Sequence, residues 1–190
     1  MSARSGHRVI CYCDDCQSFA HLMERTGDTL DAHGGTDIFQ TSPACLEFTA
    51  GADRLACVRL RPGGLVRWYA ACCDTPIGNT LDASGIPFVG LIHRCMDHTA
   101  GGCSRDEALG PVRARVQGRF ARGDRSNLDA YDAFSLLASL RPLGIVLAAR
   151  LHGDHKRSPF FDAATGERTV SPRILSAEEL ARVEAARDAA

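Results

Sequence analysis

The chain has 190 residues, of which 45% are hydrophobic and 24% charged, the composition of a globular domain rather than a disordered one. Its 22 basic and 23 acidic residues leave a net charge of −1, which argues against nucleic acid or an anionic membrane as partner, since both need a basic footprint. The longest apolar run, Leu143 to Ala149, is far short of the roughly 20 residues of a membrane span, and Met1 to Val9 lacks the apolar core of a secretory signal. The expectation is a cytoplasmic protein with reduced thiols. Nine cysteines cannot all pair, and five are clustered: Cys11, Cys13 and Cys16, then Cys72 and Cys73.

In chain order, residues 1–27 hold CYCDDC and then a short helix. Asp14 with Gln17 reads as its capping box, and Phe19, Leu22 and Met23 as its apolar face. Residues 36–96 read as β. Ala44–Thr49, Leu55–Leu60, Leu65–Ala71 and Phe88–Cys95 are apolar segments about ten residues apart, separated by Gly- and Pro-bearing turns, a pattern for antiparallel packing. Residues 104–190 read as mostly helical. Ser104–Glu107 and Ser126–Asp129 open two segments, the second with Leu128, Tyr131, Phe134, Leu137 and Leu140 on one face. Pro142 ends or kinks that helix, residues 158–169 form a loop or small hairpin, and Ser176–Glu179 caps a last helix. The expected fold class is α+β, mainly antiparallel β with added helices, divided into a metal-binding β domain over 1–100 and a helical C-terminal region over 101–190 packed on it.

Cys11-Tyr-Cys13-Asp-Asp-Cys16 carries the clearest chemistry. A CxCxxC stretch wraps three thiolates around one ion, and tetrahedral zinc takes sulfur at about 2.3 Å, within reach of so short a loop. The start of the following helix favours the Cys16 thiolate. Three sulfurs leave a fourth position, for Cys73, Cys72, His7 or an exogenous ligand. Cys72 and Cys73 follow a strand, so one of them faces the site and the other the core; Cys73 is the expected one. Asp74, Thr75 and Asn79 beside it, on a turn, are candidate substrate-binding groups. Cys45, Cys57, Cys95 and Cys103 stand singly and read as small buried residues. His152 and His155, among Arg150, Lys156 and Arg157, read as the solvated end of a helix.

CYCDDCQ followed by ACCDTPIGNT resembles the glutathione-dependent formaldehyde-activating family, whose segments run C-x-C-x-x-C-R and C-x-x-C-G-T-P. The matching positions are Cys11, Cys13 and Cys16, then Cys73, Thr75 and Pro76, and the likeness covers about residues 9–95. It implies a β-tent fold, zinc at Cys11, Cys13 and Cys16, glutathione or another small thiol as partner, and carbon–sulfur lyase chemistry of the S-(hydroxymethyl)glutathione synthase type, with Cys73 as a reactive thiol. The family's second, structural zinc has lost all but one of its four ligands here: no earlier C-x-C precedes Cys11, and the later C-x-x-C begins on Ala70. The alternatives are a non-catalytic zinc-stabilised binding domain and a thiol redox sensor using Cys72 and Cys73.

Overall fold

The computed structural model describes residues 6–94, 96–98, 102–133 and 136–190; Cys95 and Phe134 lie outside them. Eight strands form one sheet: β1 (Gly6–Cys11), β2 (Thr36–Thr41), β3 (Leu55–Arg59), β4 (Val66–Ala70), β5 (Thr75–Thr80), β6 (Val89–Ile92), β7 (Val112–Val116) and β8 (Arg173–Ile174). Their order is β7-β1-β2-β6-β5-β4-β3-β8. The six central strands are antiparallel neighbours, and β7 and β8 join the edges in parallel. The helices are α1 (Asp14–Leu22), α2 (Thr26–Thr29), α3 (Arg105–Leu109), α4 (Leu136–Leu151) and α5 (Ala177–Asp188). The class is mixed α+β, with antiparallel pairing dominant and the C-terminal part helical. Among the described residues, no helix is long and apolar enough to cross a membrane.

Strand alternation gives the sheet two unlike faces. On one, Phe39, Val66, Trp68, Val89 and Leu91 are buried in one cluster with Phe160 and Phe161. The Trp68 and Phe160 rings lie 4.8 Å apart, and Trp68 Nε1 donates to Thr80 Oγ1 at 2.9 Å, pinning β4 to β5. On the other face, Phe19 and Met23 pack on Val58, Ile92 and Leu175. That places α1 over the strands, with α5 behind it through Leu180.

Several segments differ from the sequence-based expectation. Residues 44–49 are not a strand; Pro43–Cys45 is a 3-10 turn in which Ser42 accepts from the Ala44 N–H. TPIGNT, whose Pro, Gly and Asn signal a turn, is strand β5. Pro76 sits where the β4–β5 register shifts, so no regular ladder bond is lost. Gly78 is required because a Cβ there would come within 2.8 Å of the Gly90 carbonyl oxygen. The helix expected from Ser126 does not form: Ser126 donates its N–H to Asp124 in a turn, and Tyr131 makes a bridge to Val116. The described helix spans Leu136–Leu151 and runs through Pro142. Of the face expected there, Tyr131 and Leu140 are exposed and Leu128 packs on Ile10, Tyr12 and Ala121; Phe160, Phe161 and Leu175 make the larger core contacts. The capping box at α1 is also absent. Cys13 is the N-cap and offers no side-chain bond, while the boxes at Ser104–Glu107 and Ser176–Glu179 form as expected.

A buried ionic group holds one end of the sheet. Arg8 donates to Asp37 through Nε at 2.8 Å and Nη2 at 2.6 Å, His93 Nε2 lies 3.0 Å from Asp37 Oδ1, and Arg8 also reaches Asp106 on α3. Burial alone would raise the Asp37 carboxyl, but bonds from His93 and Arg8 outweigh it and hold the group well below the usual carboxylate range. A carboxyl depressed in the fold stabilises it above the unfolded-chain pKa of about 3.9. That contribution fades as pH falls toward the lower folded value. Asp37→Asn is therefore expected to cost about 3 kcal/mol at neutral pH, with the gap to wild type closing below about pH 4; urea denaturation from neutral to acid pH measures it. Phe160→Ala, which empties the site against Trp68, should cost about 3–5 kcal/mol, read as a lowered melting temperature.

Candidate metal centre

The CxCxxC segment spans the end of a strand and the start of a helix. Cys11 closes β1, Tyr12 is buried and donates its N–H to the Val116 carbonyl at 3.1 Å, and Cys13 caps α1. The Cys13 carbonyl accepts from the N–H groups of Cys16 at 3.0 Å and Gln17 at 3.2 Å. Gln17, the residue expected to complete a capping box, acts elsewhere. Its Nε2 donates to the Tyr12 carbonyl at 2.7 Å and the Phe120 carbonyl at 3.0 Å, locking the turn from both sides.

This brings the sulfurs of Cys11, Cys13 and Cys16 within 4.8 Å of one another. A tetrahedral centre with metal–sulfur bonds of about 2.3 Å separates its sulfurs by about 3.8 Å, so small adjustments close the three on one ion. Among the described residues they form the group that could hold a metal ion. Hydrogen bonds from Cys11 and Cys13 hold the Cys16 thiol well below its ordinary value, with Arg67 adding to the effect. The Cys11 thiol is raised well above it by its bonds to Cys13 and Cys16 and by burial. For Cys13, the bond from Cys11 favours the thiolate, but the bond to Cys16 and burial prevail and the thiol is pushed up to about 12. A metal takes all three sulfurs as thiolates, so its uptake releases the protons they carry.

The thiols open into a cavity of about 380 Å³, whose wall crosses six strands of one sheet face. Val116, Val9, Ile38 and Leu65 supply apolar surface, with Phe88 and Pro142 from flanking segments. Gly90 lies where a Cβ would come within 2.9 Å of Ile38, so the wall is bare backbone there. The polar lining is Asp15, Gln40, Arg67 and Asn79. Arg67 is 2% exposed. It donates to Asn79 Oδ1 at 3.2 Å, lies over the Phe19 ring at 5.5 Å and is 3.7 Å from Asp15. Three thiolates around a divalent ion carry a net −1, and the neighbouring guanidinium cancels it. Donor type, spacing and charge all fit a metal.

The candidate residues separate into two places. Asn79, expected on a turn, is a buried residue of β5 inside the thiol cavity. Cys73, Asp74 and Thr75 are elsewhere: Cys73 and Asp74 line a surface recess with Arg25, Tyr69 and Met23. Met23 lies seven residues beyond Cys16 along α1, about 10 Å at 1.5 Å per residue. Cys72 and Cys73 follow the end of β4 in a turn, where strand alternation no longer applies, and both are exposed. Their sulfurs are 3.6 Å apart, and the Thr75 hydroxyl, 3.1 Å from the Cys73 sulfur, holds that thiol below its ordinary value. His7 shares a face with Cys11 but lies four residues back on β1, about 13 Å, and lines a different recess. Cys57 is buried, bonded to the Val170 carbonyl, and pushed up to about 11 by burial. Sequence reasoning missed Arg67 and Gln40; a charge inside the apolar run VRWYA was the available signal for the first.

The chain matches the model of a family described as a family of unknown function (DUF6151) over residues 4–171, and it belongs to that family. No curated protein and no solved structure matches it.

If the three thiols act together, Cys13→Ser should weaken cobalt(II) binding by at least about 100-fold, beyond the loss that follows removal of an outer-shell partner. Cys73→Ser and Cys57→Ser should leave it within about threefold of wild type. Spectroscopic titration of the purified protein against a competing chelator checks both.

Proposed function

We propose that this family member is a zinc protein whose Cys11–Cys13–Cys16 centre takes a small thiol as fourth ligand and handles that thiol's adduct with an aldehyde, chemistry of the carbon–sulfur lyase type. One observation carries the reading: the three sulfurs share a cavity wall, and the described residues place no fourth donor with them. Structural zinc centres are closed by four protein ligands, whereas reactive ones keep a position for water or substrate. Soft sulfur donors favour zinc over magnesium or calcium. The resemblance of CYCDDC and CDTP to the glutathione-dependent formaldehyde-activating family supports the same reading.

Zinc, when bound, would hold an incoming thiol as its thiolate at neutral pH. The chain's own groups do the rest. Arg67, oriented by Asn79, balances the negative charge gathered at the sulfurs. Val9, Ile38 and Val116 exclude water from the space beside them. In the synthetic direction a carbon–sulfur bond forms, and the carbonyl oxygen gains the proton that the thiol loses. The lyase direction reverses both, and neither needs a redox partner.

Purified protein should contain about one zinc per chain, as a single three-sulfur site requires. Zinc-loaded wild type should speed the exchange of ¹³C-formaldehyde with its thiol adduct, seen by NMR line broadening, and Cys16→Ala should not. A zinc content near two per chain would contradict the single-site reading. Equal exchange rates in the two proteins would remove the chemistry.

A further inference from the structure

The cavity over the sulfurs has a composition that selects among thiols. We infer that its ligand is a small thiol with an uncharged, apolar body, rather than a charged peptide thiol such as glutathione. The inference rests on the open thiolate centre proposed above and names the class of molecule that fills it.

Charge is the first argument. Among the described residues Arg67 is the one basic member of the lining, and it is already engaged by Asn79, Asp15 and Phe19. Its charge is needed beside the thiolates. Asp15 adds a carboxylate to the same lining, and Gln40 contributes a buried amide oxygen without a hydrogen-bond partner. The Asp15 carboxylate repels a ligand carboxylate, and the Gln40 oxygen, an acceptor, offers one no hydrogen bond. Glutathione carries two carboxylates and an ammonium at neutral pH, and burying each unpaired ion costs several kcal/mol. Asp15 can face the ammonium, but among the described residues the lining offers the two carboxylates no cation besides Arg67.

Size and surface are the second argument. At about 380 Å³ the cavity lies at the low end of the roughly 300–1,000 Å³ typical of small-molecule sites. Val9, Ile38, Val116, Phe88 and Pro142 present hydrocarbon, which stabilises an apolar ligand by about 0.8 kcal/mol per buried methylene. Leu65, 39% exposed, also belongs to this lining and meets solvent. A ligand with its sulfur at the triad therefore extends its body over hydrocarbon.

The test uses full-length protein loaded with cobalt(II), whose sulfur-to-metal charge-transfer bands report a fourth thiolate. Benzyl mercaptan is titrated against glutathione and cysteamine. Benzyl mercaptan should bind at least about tenfold tighter than either, a difference of about 1.4 kcal/mol. Leu65→Lys, a substitution at a solvent-exposed position, adds a cation for glutathione's carboxylates and should narrow the benzyl mercaptan to glutathione ratio about threefold or more. Glutathione binding as tightly as benzyl mercaptan would overturn the ligand class while leaving the open centre standing. A ratio unmoved by Leu65→Lys would overturn the assignment to this cavity. Bands that respond to no thiol would remove the open centre and this inference together.

Discussion

A strand shows only alternate residues to one side, and in this sheet both sides are covered, so each central strand serves two environments. Val66 and Trp68 go to the aromatic core, and Arg67 between them goes to the cavity. Val89 and Leu91 go to the core, and Gly90 faces the cavity. Phe39 is buried with Trp68 and Phe160, while Ile38 and Gln40 line the cavity. The Trp68–Thr80 hydrogen bond therefore does more than hold two strands. A one-residue slip of β4 would put a guanidinium into the aromatic cluster and an indole against the sulfurs. The core fixes the register, and the register places the cation.

The same economy governs the thiols. They sit where β1 stops and α1 starts, with Cys16 in the first turn of the helix, where its N-terminal dipole favours negative charge. Arg67 approaches from β4. Two sources of positive potential from different parts of the fold thus meet at Cys16, and Arg67 adds to the hydrogen bonds from Cys11 and Cys13 that lower its thiol. Asp14 and Asp15 also occupy that turn, and Asp15, at the edge of the cavity, pairs outward with Arg61.

How much of this was legible in the sequence depended on how locally each feature is encoded. The thiol triad was legible because its donors lie within six residues. The capping boxes at Ser104 and Ser176 were legible for the same reason, as were β3, β4 and β6, which are runs of apolar residues bounded by turn signals. β5 was not, because Pro76 and Gly78 are there for a register shift and a close backbone approach that only the neighbouring strands impose. Cys73 was drawn toward the metal by extending strand alternation past Ala70, where the strand had ended. The cavity was the least legible feature. Its lining comes from β7, β1, β2, β6, β5 and β4, an order that no local pattern records, and Arg67 owes its role to that order alone.

The two parallel edges have a consequence for how the molecule assembles. β7 must travel back to β1, and β8 to β3, so the outer strands wait on contacts between segments distant in the chain, the kind that form late. The thiol donors are adjacent in the chain, but two of the bonds that lock their turn, from Tyr12 to the Val116 carbonyl and from Gln17 to the Phe120 carbonyl, come from the same late segments. Val116 and Pro142, which close over them, are synthesised and docked afterwards. During synthesis there is thus an interval when the three thiols, close in sequence, precede the segments that lock and shelter them. During that interval the choice of ion, and the exposure to oxidants, is set by the surrounding solution rather than by the fold.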